Sequence, residues 1–152
     1  MSYYKKVLQP DEAVLVVGRL HWIIYGRAVA FLVLAAAVLV AAPLAPGAET
    51  AVEILAASCA VLALLVFLRA WIIRVTTEVA VTNRRIIHKR GVISRHTEEM
   101  NISKVETVDV DQGIWGRVLG YGTVVVRGTG GGWEPLRRLA SPLTIRNAIV
   151  VG

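Results

Sequence analysis

The side chains that most often carry catalysis or bind metals are few in this chain and widely spaced. The histidines are His21, His88 and His96, and the single cysteine is Cys59. A zinc or redox site needs such ligands at short, regular spacing, which these four residues do not show. Cys59 lies inside a long apolar stretch, where a small packing residue is the expected role. The sequence therefore predicts neither a metal site nor a cofactor.

Carboxylate pairs and a glycine-rich run are the other candidates for chemistry. Asp109 and Asp111 alternate along one predicted strand and Glu98 stands beside Glu99, which is typical of solvated strand faces rather than of an acid–base pair. The run 128–132 lacks the Gly-Lys-Ser/Thr ending of a phosphate-binding loop and precedes a predicted strand, not a helix. We therefore expect that the protein is not an enzyme.

Basic residues are the one suggestive chemical feature, with 17 Lys and Arg and a formal net charge of +6. A cluster follows the second apolar stretch and continues through the first predicted hairpin: Arg69, Arg74, Arg84, Arg85, Lys89, Arg90 and Arg95. Such a cluster is typical of the cytoplasmic side of a membrane protein. It is also typical of contact with anionic headgroups, where the attraction is worth ~1 kcal/mol per basic side chain. Nucleic acid is not expected as a partner, because no reading helix or stacking-aromatic motif accompanies the charge.

Two long apolar stretches must hold these residues in place, and they explain why 55% of the residues are hydrophobic. Residues 28–48 and 54–68 contain no charged side chain. Spanning a bilayer needs about 20 apolar residues in a helix. With their aromatic flanks, the stretches predict transmembrane helices over about 22–45 and 50–73. A cleaved signal segment or a pair of buried helices in a soluble core are the alternatives.

The distribution of charge predicts the orientation of this helical hairpin. All 17 Lys and Arg lie outside residues 28–68, whereas Glu49 and Glu53 lie in or beside the connection between the helices. Positive residues are retained on the cytoplasmic side of a membrane. We therefore expect a multi-pass protein of the bacterial inner membrane with both termini in the cytoplasm.

The rest of the chain has the pattern of short strands followed by one helix. Residues 75–152 alternate apolar and polar side chains between turn signals, and Ser141-Pro142 predicts the start of a helix that ends near Val150. A small barrel or roll is the expected result. Residues 1–21 precede the hairpin, and a strand within Asp11–Leu20 is expected to join the barrel. The predicted domains are thus 1–21, 22–73 and 74–152.

Several motifs in this order resemble the bacterial pleckstrin-homology-like (PH-like) membrane proteins. They are Leu8–Glu12, Glu78–Ile87, Lys89–Arg95, Ile102–Glu106 and Gly113–Thr123. The resemblance implies two roughly orthogonal sheets closed by a C-terminal helix and hung beneath a membrane hairpin. It also makes self-assembly an expectation, because related bacterial domains form rings. A fold does not by itself give an activity.

The expected fold class is therefore mixed: a two-helix transmembrane hairpin plus a small cytoplasmic PH-like β-barrel or roll with a C-terminal helix. The favoured function is a membrane-anchored interaction or scaffolding module that docks a protein partner or forms a homo-oligomer. The alternative is a module that senses or handles anionic phospholipid through the basic cluster.

Three further residues are predicted to have structural roles. Trp115, Gly116 and Gly120 lie in a glycine-bounded turn between two predicted strands, with Val118 and Leu119 one helical turn after Trp115. We expect the Trp115 indole to close the end of the barrel as a main core anchor, because a large aromatic ring gains most from burial.

Overall fold

The computed structural model describes residues 7–44, 46–91, 96–129, 131–133 and 135–151. The chain divides into two compact units. One unit, which we call the sheet unit, combines Met1–His21 with Ile73–Gly152. The other, which we call the helical unit, consists of Trp22–Ile72. The helical unit is thus an insertion in the sequence of the sheet unit.

The first sheet contains residues from both sides of this insertion. Its four antiparallel strands follow the order β1–β2–β3–β4: β1 is Val14–Gly18, β2 is Glu78–Thr82, β3 is Arg85–Arg90 and β4 is His96–Asn101. Gly18 lies opposite Val79, and Val17 lies opposite Ala80. The segment before the insertion therefore provides an edge strand next to the first strand after it.

The second sheet is built around one long strand. Its members are β5 (Val105–Asp111), β6 (Tyr121–Gly128), β7 (Gly131–Gly132) and β8 (Leu136–Ala140), and β6 pairs antiparallel with the other three. A short helix, α3 (Ile114–Leu119), connects β5 to β6. Two longer helices, α1 (Gly26–Val40) and α2 (Glu49–Thr76), precede it in the chain and belong mainly to the helical unit. An isolated bridge between Leu20 and Leu139 links the β1 side of the first sheet to β8.

The C-terminal helix α4 (Pro142–Val151) packs against β1, β5 and β6. Ile145 and Ile149 are buried on its inner face, one helical turn apart. The apolar core between this helix and the sheets is mainly β-branched: Val79, Val81, Ile86, Ile87, Val124 and Val126 are buried. Such side chains fit a pleated, buried surface, which explains why these segments form strands.

The helical unit contains the two apolar helices. A 3₁₀ turn at Trp22–Tyr25 leads into α1 (Gly26–Val40), and α2 (Glu49–Thr76) extends beyond the predicted 50–73, so that its last four residues belong to the sheet unit. The segments Trp22–Val40 and Glu49–Thr76, of 19 and 28 residues, are long and apolar enough to cross a bilayer by length and composition. Tyr25 and Phe67 stack with ring centroids 5.1 Å apart.

Burial within the two helices is the reverse of that in a soluble core. Their buried residues are small: Ala28 and Ala35 in α1, and Ala56, Cys59, Ala63 and Ala70 in α2. Large apolar side chains such as Leu32, Val40 and Ile54 are exposed. The seven-residue intervals between Ala56, Ala63 and Ala70 place these small residues on one face of α2.

Candidate functional site

The two ends of the first sheet differ in where the chain goes next. At one end β1 stops and β2 begins, with Gly18 opposite Val79. The chain enters the helical unit after His21 and returns at Ile73, so we call this the exit end. At the other end Val14 lies opposite Thr82, beside the turn between β2 and β3. We call this the distal end, and the rise per residue of β2 separates the two by ~13 Å.

The distal end holds a buried ion pair. The Glu12 side chain is fully buried, and Arg85 binds it with two hydrogen bonds: Nε donates to Oε1 at 2.9 Å and Nη2 donates to Oε2 at 2.8 Å. The Thr82 hydroxyl donates to Glu12 Oε1 at 2.7 Å. Arg85 also donates to Glu99 Oε2 and to the Val7 carbonyl, each at 2.8 Å. This network fixes the N-terminal segment to the turn between β2 and β3.

The network also determines the protonation of Glu12. The hydrogen bond from Arg85 lowers the pKa of Glu12 to about 2, against the opposing effect of burial and with further help from Thr82 and the Gln9 backbone. The hydrogen bond to Glu12 raises the pKa of Arg85. Both groups are therefore charged at neutral pH. Glu12 was not among the residues singled out from the sequence, although it closes the motif Leu8–Glu12 that carries part of the resemblance.

The structure does not bring the predicted headgroup-contact residues together. Arg85 is occupied by its carboxylates at the distal end, and Arg84 Nη1 donates to Gln9 Oε1 at 3.2 Å nearby. Arg69 lies in α2 within the helical unit. Arg74, Lys89 and Arg90 lie towards the exit end, and Arg95 lies outside the described residues. The charge-run pattern thus grouped residues with different environments.

The exit end carries exposed arginines that the sequence analysis missed. They are Arg19, Arg117, Arg137 and Arg138. Backbone bonds connect their segments. The Ala140 N–H donates to the Arg19 carbonyl at 2.9 Å, and the His21 N–H donates to the Arg138 carbonyl at 2.8 Å. The Ser141 N–H donates to the carbonyl of Gly120, which ends the helix of Arg117, at 2.9 Å. No ion pair involves these four arginines within the part of the chain that the structure describes. They come from three separate segments, so no local run of charge could reveal them.

Acidic side chains are also present at the exit end, but they are fewer. Glu78 begins β2, Asp111 ends β5, and Glu98 lies opposite His88 on β4. The basic residues of this end are the four exposed arginines together with Arg74, Lys89 and Arg90. The electrostatic character of the exit end is therefore positive, which suits an anionic surface.

Trp115 does not close the barrel. Its side chain is 71% exposed, and its neighbours Ile114 and Val118 are 81% and 71% exposed. The prediction of a buried indole is wrong because Gly116, not Trp115, faces inward: a Cβ on Gly116 would lie 2.7 Å from the Tyr121 carbonyl oxygen. The turn that ends α3 is at Gly120, which has a φ of 76°.

A different tryptophan contributes to the interior. Trp133 is 9% exposed, and its ring packs edge-on against His88 at a centroid distance of 6.1 Å. The glycines beside Trp115 do not indicate a buried ring, because Gly116 instead allows a close approach of the helix to the Tyr121 backbone. The β7–β8 segment that contains Trp133 had no periodicity to single it out.

A small cleft lies beside His88 within the sheet unit. It has a volume of about 180 Å³, and its lining includes His88, Arg90 and Arg137. The Nδ1 atom of His88 is 4.0 Å from Glu98 Oε2, and Glu98 Oε1 is 3.0 Å from His96 Nε2. Among the described residues no group of three His, Cys, Asp or Glu side chains could hold a metal ion. The geometry here is that of a carboxylate–imidazole hydrogen bond between two residues of β4, Glu98 and His96.

Two antiparallel sheets closed by a C-terminal helix define a PH-like domain, here with a basic, partly apolar exit end. The family model described as "Bacterial PH domain" matches residues 13–149. The chain therefore belongs to the bacterial PH domain family. No curated protein and no solved structure matches it. Membership confirms the resemblance and the PH-like fold, and it indicates a lipid- or protein-interaction module.

Proposed function

We propose that this protein is a PH module anchored in the bacterial inner membrane, whose exit end rests on the anionic headgroups of the cytoplasmic leaflet. The observation that carries the proposal is the position of the exposed arginines. Arg19, Arg117 and Arg138 lie at the end of the sheet unit where the chain enters and leaves the two apolar helices.

The pattern of burial in the helices supports the anchor. Large apolar side chains point outwards from α1 and α2, where lipid chains would solvate them, and the buried positions are small. Small residues at buried positions are typical of helices that pack in membranes. The absence of Lys and Arg from residues 28–68 supports an orientation with the connection outside and the PH unit in the cytoplasm.

The distance of each basic residue from the membrane decides how much it contributes to headgroup attraction. Attraction to an anionic leaflet is worth ~1 kcal/mol per basic side chain and decays within a Debye length of ~10 Å. Arg19 precedes the start of the first apolar segment by three positions, well within this range. Arg84 and Arg85 lie at the distal end, which the length of β2 separates by ~13 Å from the exit end. Their guanidinium groups already donate hydrogen bonds to Gln9 and Glu12. The exit-end arginines therefore carry the headgroup contact.

Anchoring makes weak headgroup contacts effective. A module tethered at both Leu20–His21 and Ile73 is held at a high local concentration of lipid, so a few kcal/mol of attraction sets its orientation. The distal end then faces the cytoplasm. Docking of a protein partner or of a second copy there, which was favoured from the sequence, stays a prediction.

Hydrogen exchange of the full-length chain in lipid nanodiscs tests the proposal. We expect backbone amides in residues 117–121 and 137–141 to exchange several-fold more slowly in discs with 30% phosphatidylglycerol than in pure phosphatidylcholine. Raising NaCl from 0.05 to 0.5 M should remove the difference because salt screens exposed charges. Amides of residues 100–105, at the distal end of β4 and in the turn after it, are the internal control and should not respond. Equal exchange in both lipids at low salt would contradict the headgroup contact.

A further inference from the structure

We propose that α3 inserts the side chains of Ile114, Trp115 and Val118 into the headgroup–acyl boundary of the same bilayer. This short helix would be a third membrane contact of the protein, after α1 and α2. The inference rests on the proposed function, because it requires that the helical unit spans the membrane.

The three side chains form one exposed apolar surface. Residues i and i+4 of a helix lie above one another, and residue i+1 is rotated by ~100°, so Ile114, Val118 and Trp115 share less than a third of the circumference. Gly116 is buried against the Tyr121 backbone, which orients this apolar surface away from the sheet. Three large apolar side chains that are each more than two-thirds exposed are unusual in water.

The position of α3 in the fold indicates what its exposed apolar surface contacts. Gly120 ends the helix, and the ring of the next residue, Tyr121, stacks on His21 with centroids 5.4 Å apart. Trp22, the residue after His21, begins the first apolar segment. A six-residue helix is only ~9 Å long. Under the proposed topology, the whole of α3 is therefore close to the depth at which the chain enters the lipid.

The chemistry of the segment also fits an interfacial site. Tryptophan is enriched at the headgroup level of membranes, where one part of the ring is apolar and its N–H is wet. Arg117 is exposed on the same helix and can extend its guanidinium to phosphates from an apolar base. Residues 113–122 contain no acidic side chain. A basic, apolar, acid-free helix lying in the plane of the membrane is the established pattern for interfacial binding.

A neighbouring residue enlarges the surface. Leu143, in the first turn of α4, is exposed and lines an open groove of about 660 Å³ together with Arg117 and Gly120. This groove lies within the sheet unit, between α3 and the start of α4. At the other end of α4, Val150 is also exposed, ~10 Å further along the helix axis. Leu143 thus adds an exposed apolar side chain beside Arg117, at the end of α4 that is near α3.

An environment-sensitive label on the full-length protein tests the insertion. We would attach a nitrobenzoxadiazole dye to Val118→Cys, which retains Trp115, in a Cys59→Ala background, and reconstitute it in phosphatidylcholine–phosphatidylglycerol vesicles. The matched control is Ser103→Cys, an exposed position between β4 and β5 at the distal end. We expect lipid with a nitroxide near the headgroup to quench the label at 118 at least twofold more than the label at 103. Adding Trp115→Ala should reduce this excess.

Each other outcome has a definite meaning. Equal quenching at 118 and 103 would overturn the inference. A label at 118 that is shielded from aqueous iodide but not quenched by lipid would also overturn it, and would indicate a protein occupant such as a second copy. The thermal midpoint of detergent-solubilised Trp115→Ala should equal that of the wild type, because the side chain is exposed. A large fall in the thermal midpoint would instead show that Trp115 has the structural role expected from the sequence.

A separate variant distinguishes failure of the anchor from failure of the insertion. Ala48→Cys, exposed beside the connection between α1 and α2, should react with an impermeant maleimide in intact cells. If it reacts only after permeabilisation, the proposed topology is wrong. If it reacts in intact cells while the label at 118 is not quenched by lipid, the anchor holds and α3 does not insert.

Discussion

The two ends of the PH unit use arginine in opposite ways. At the distal end Arg85 is enclosed by Glu12, Glu99 and a backbone carbonyl, and its charge stabilises the fold. At the exit end Arg19 and Arg117 are exposed and form no ion pair with the described residues. The difference teaches that the function of a basic residue follows from what surrounds its charge, and not from how many basic residues are near it in sequence.

The hydrogen-bond network at the distal end joins two chain segments that the helical unit separates in sequence. Residues 19–77, 59 in all, separate β1 from β2, so pairing the two strands closes a long loop at an entropic cost. Glu12 and Arg85 lie on either side of this insertion and join through two charge-assisted hydrogen bonds. The pair therefore ties the segment before the insertion to the turn after it. Desolvation offsets much of its attraction, but the loss of one partner leaves the other charge buried and unpaired.

Breaking the distal pair is expected to have the largest effect. Arg85→Ala leaves Glu12 buried without its main partner, and such a loss typically costs ~3–5 kcal/mol. Arg117→Ala removes an exposed arginine at the exit end and should change stability by less than ~0.5 kcal/mol. The measurement is the thermal midpoint of the full-length chain in detergent, with both variants compared with the wild type.

A double substitution checks the cause of this loss. Replacing both partners, as in Glu12→Gln with Arg85→Met, removes the unpaired charge and should recover much of the stability lost in Arg85→Ala. Similar midpoints for Arg85→Ala and Arg117→Ala would show that the two ends do not differ in the way described.

The acid dependence of stability gives the second test. The pKa of Glu12 is about 2 in the folded protein and near 4.5 when exposed. Because the folded pKa is the lower one, the contribution is fully present above about pH 4.5 and is lost as the pH falls towards 2. A shift of this size corresponds to about 3 kcal/mol. The stability difference between wild type and Glu12→Gln should therefore be constant from pH 7 to 5 and shrink below it. Parallel curves down to pH 2.5 would contradict the assignment.

The general architecture was predictable because it depends on patterns that are local in sequence. The alternation around Val79 and Val81 and the Ser141-Pro142 start signal predict β2 and α4, which the structure contains. The apolar run at residues 14–17 predicts a strand within Asp11–Leu20, and β1 occupies Val14–Gly18. Strand periodicity and helix caps are set by neighbouring residues, so one sequence suffices to find them.

The candidate site was not predictable because it assembles residues that are distant in sequence. The segment of Arg19 meets the strand containing Arg138 through tertiary backbone bonds, and Glu12 meets Arg85 only because β1 pairs with β2. For Trp115, the sequence shows glycines on both sides but not which residue of a six-residue helix faces the sheet. That choice depends on a tertiary contact, because Gly116 lies so close to the Tyr121 backbone that a Cβ on it would be 2.7 Å from the carbonyl oxygen.

The smallest expected effect concerns the seating of α3 at the exit end, and two glycines of this region form a matched pair. A methyl group on Gly116 would meet the Tyr121 carbonyl oxygen at 2.7 Å, whereas one on Gly113 would have no atom within 4 Å. Forcing a methyl into such a contact costs ~1–3 kcal/mol, of which the better helix propensity of alanine returns up to ~1 kcal/mol. Gly116→Ala should therefore lower the thermal midpoint, while Gly113→Ala should leave it nearly unchanged.

The same pair of variants sharpens the comparison between the two ends. If α3 moves away from β6 to accommodate the methyl group of Gly116→Ala, its apolar surface turns with it. The label at Val118 should then lose part of its quenching by lipid, whereas hydrogen exchange at the distal end should not change. Gly116→Ala that matched Gly113→Ala in both midpoint and quenching would show that the close contact does not orient α3. The exposure of the Trp115 side chain would then have to result from something other than this contact.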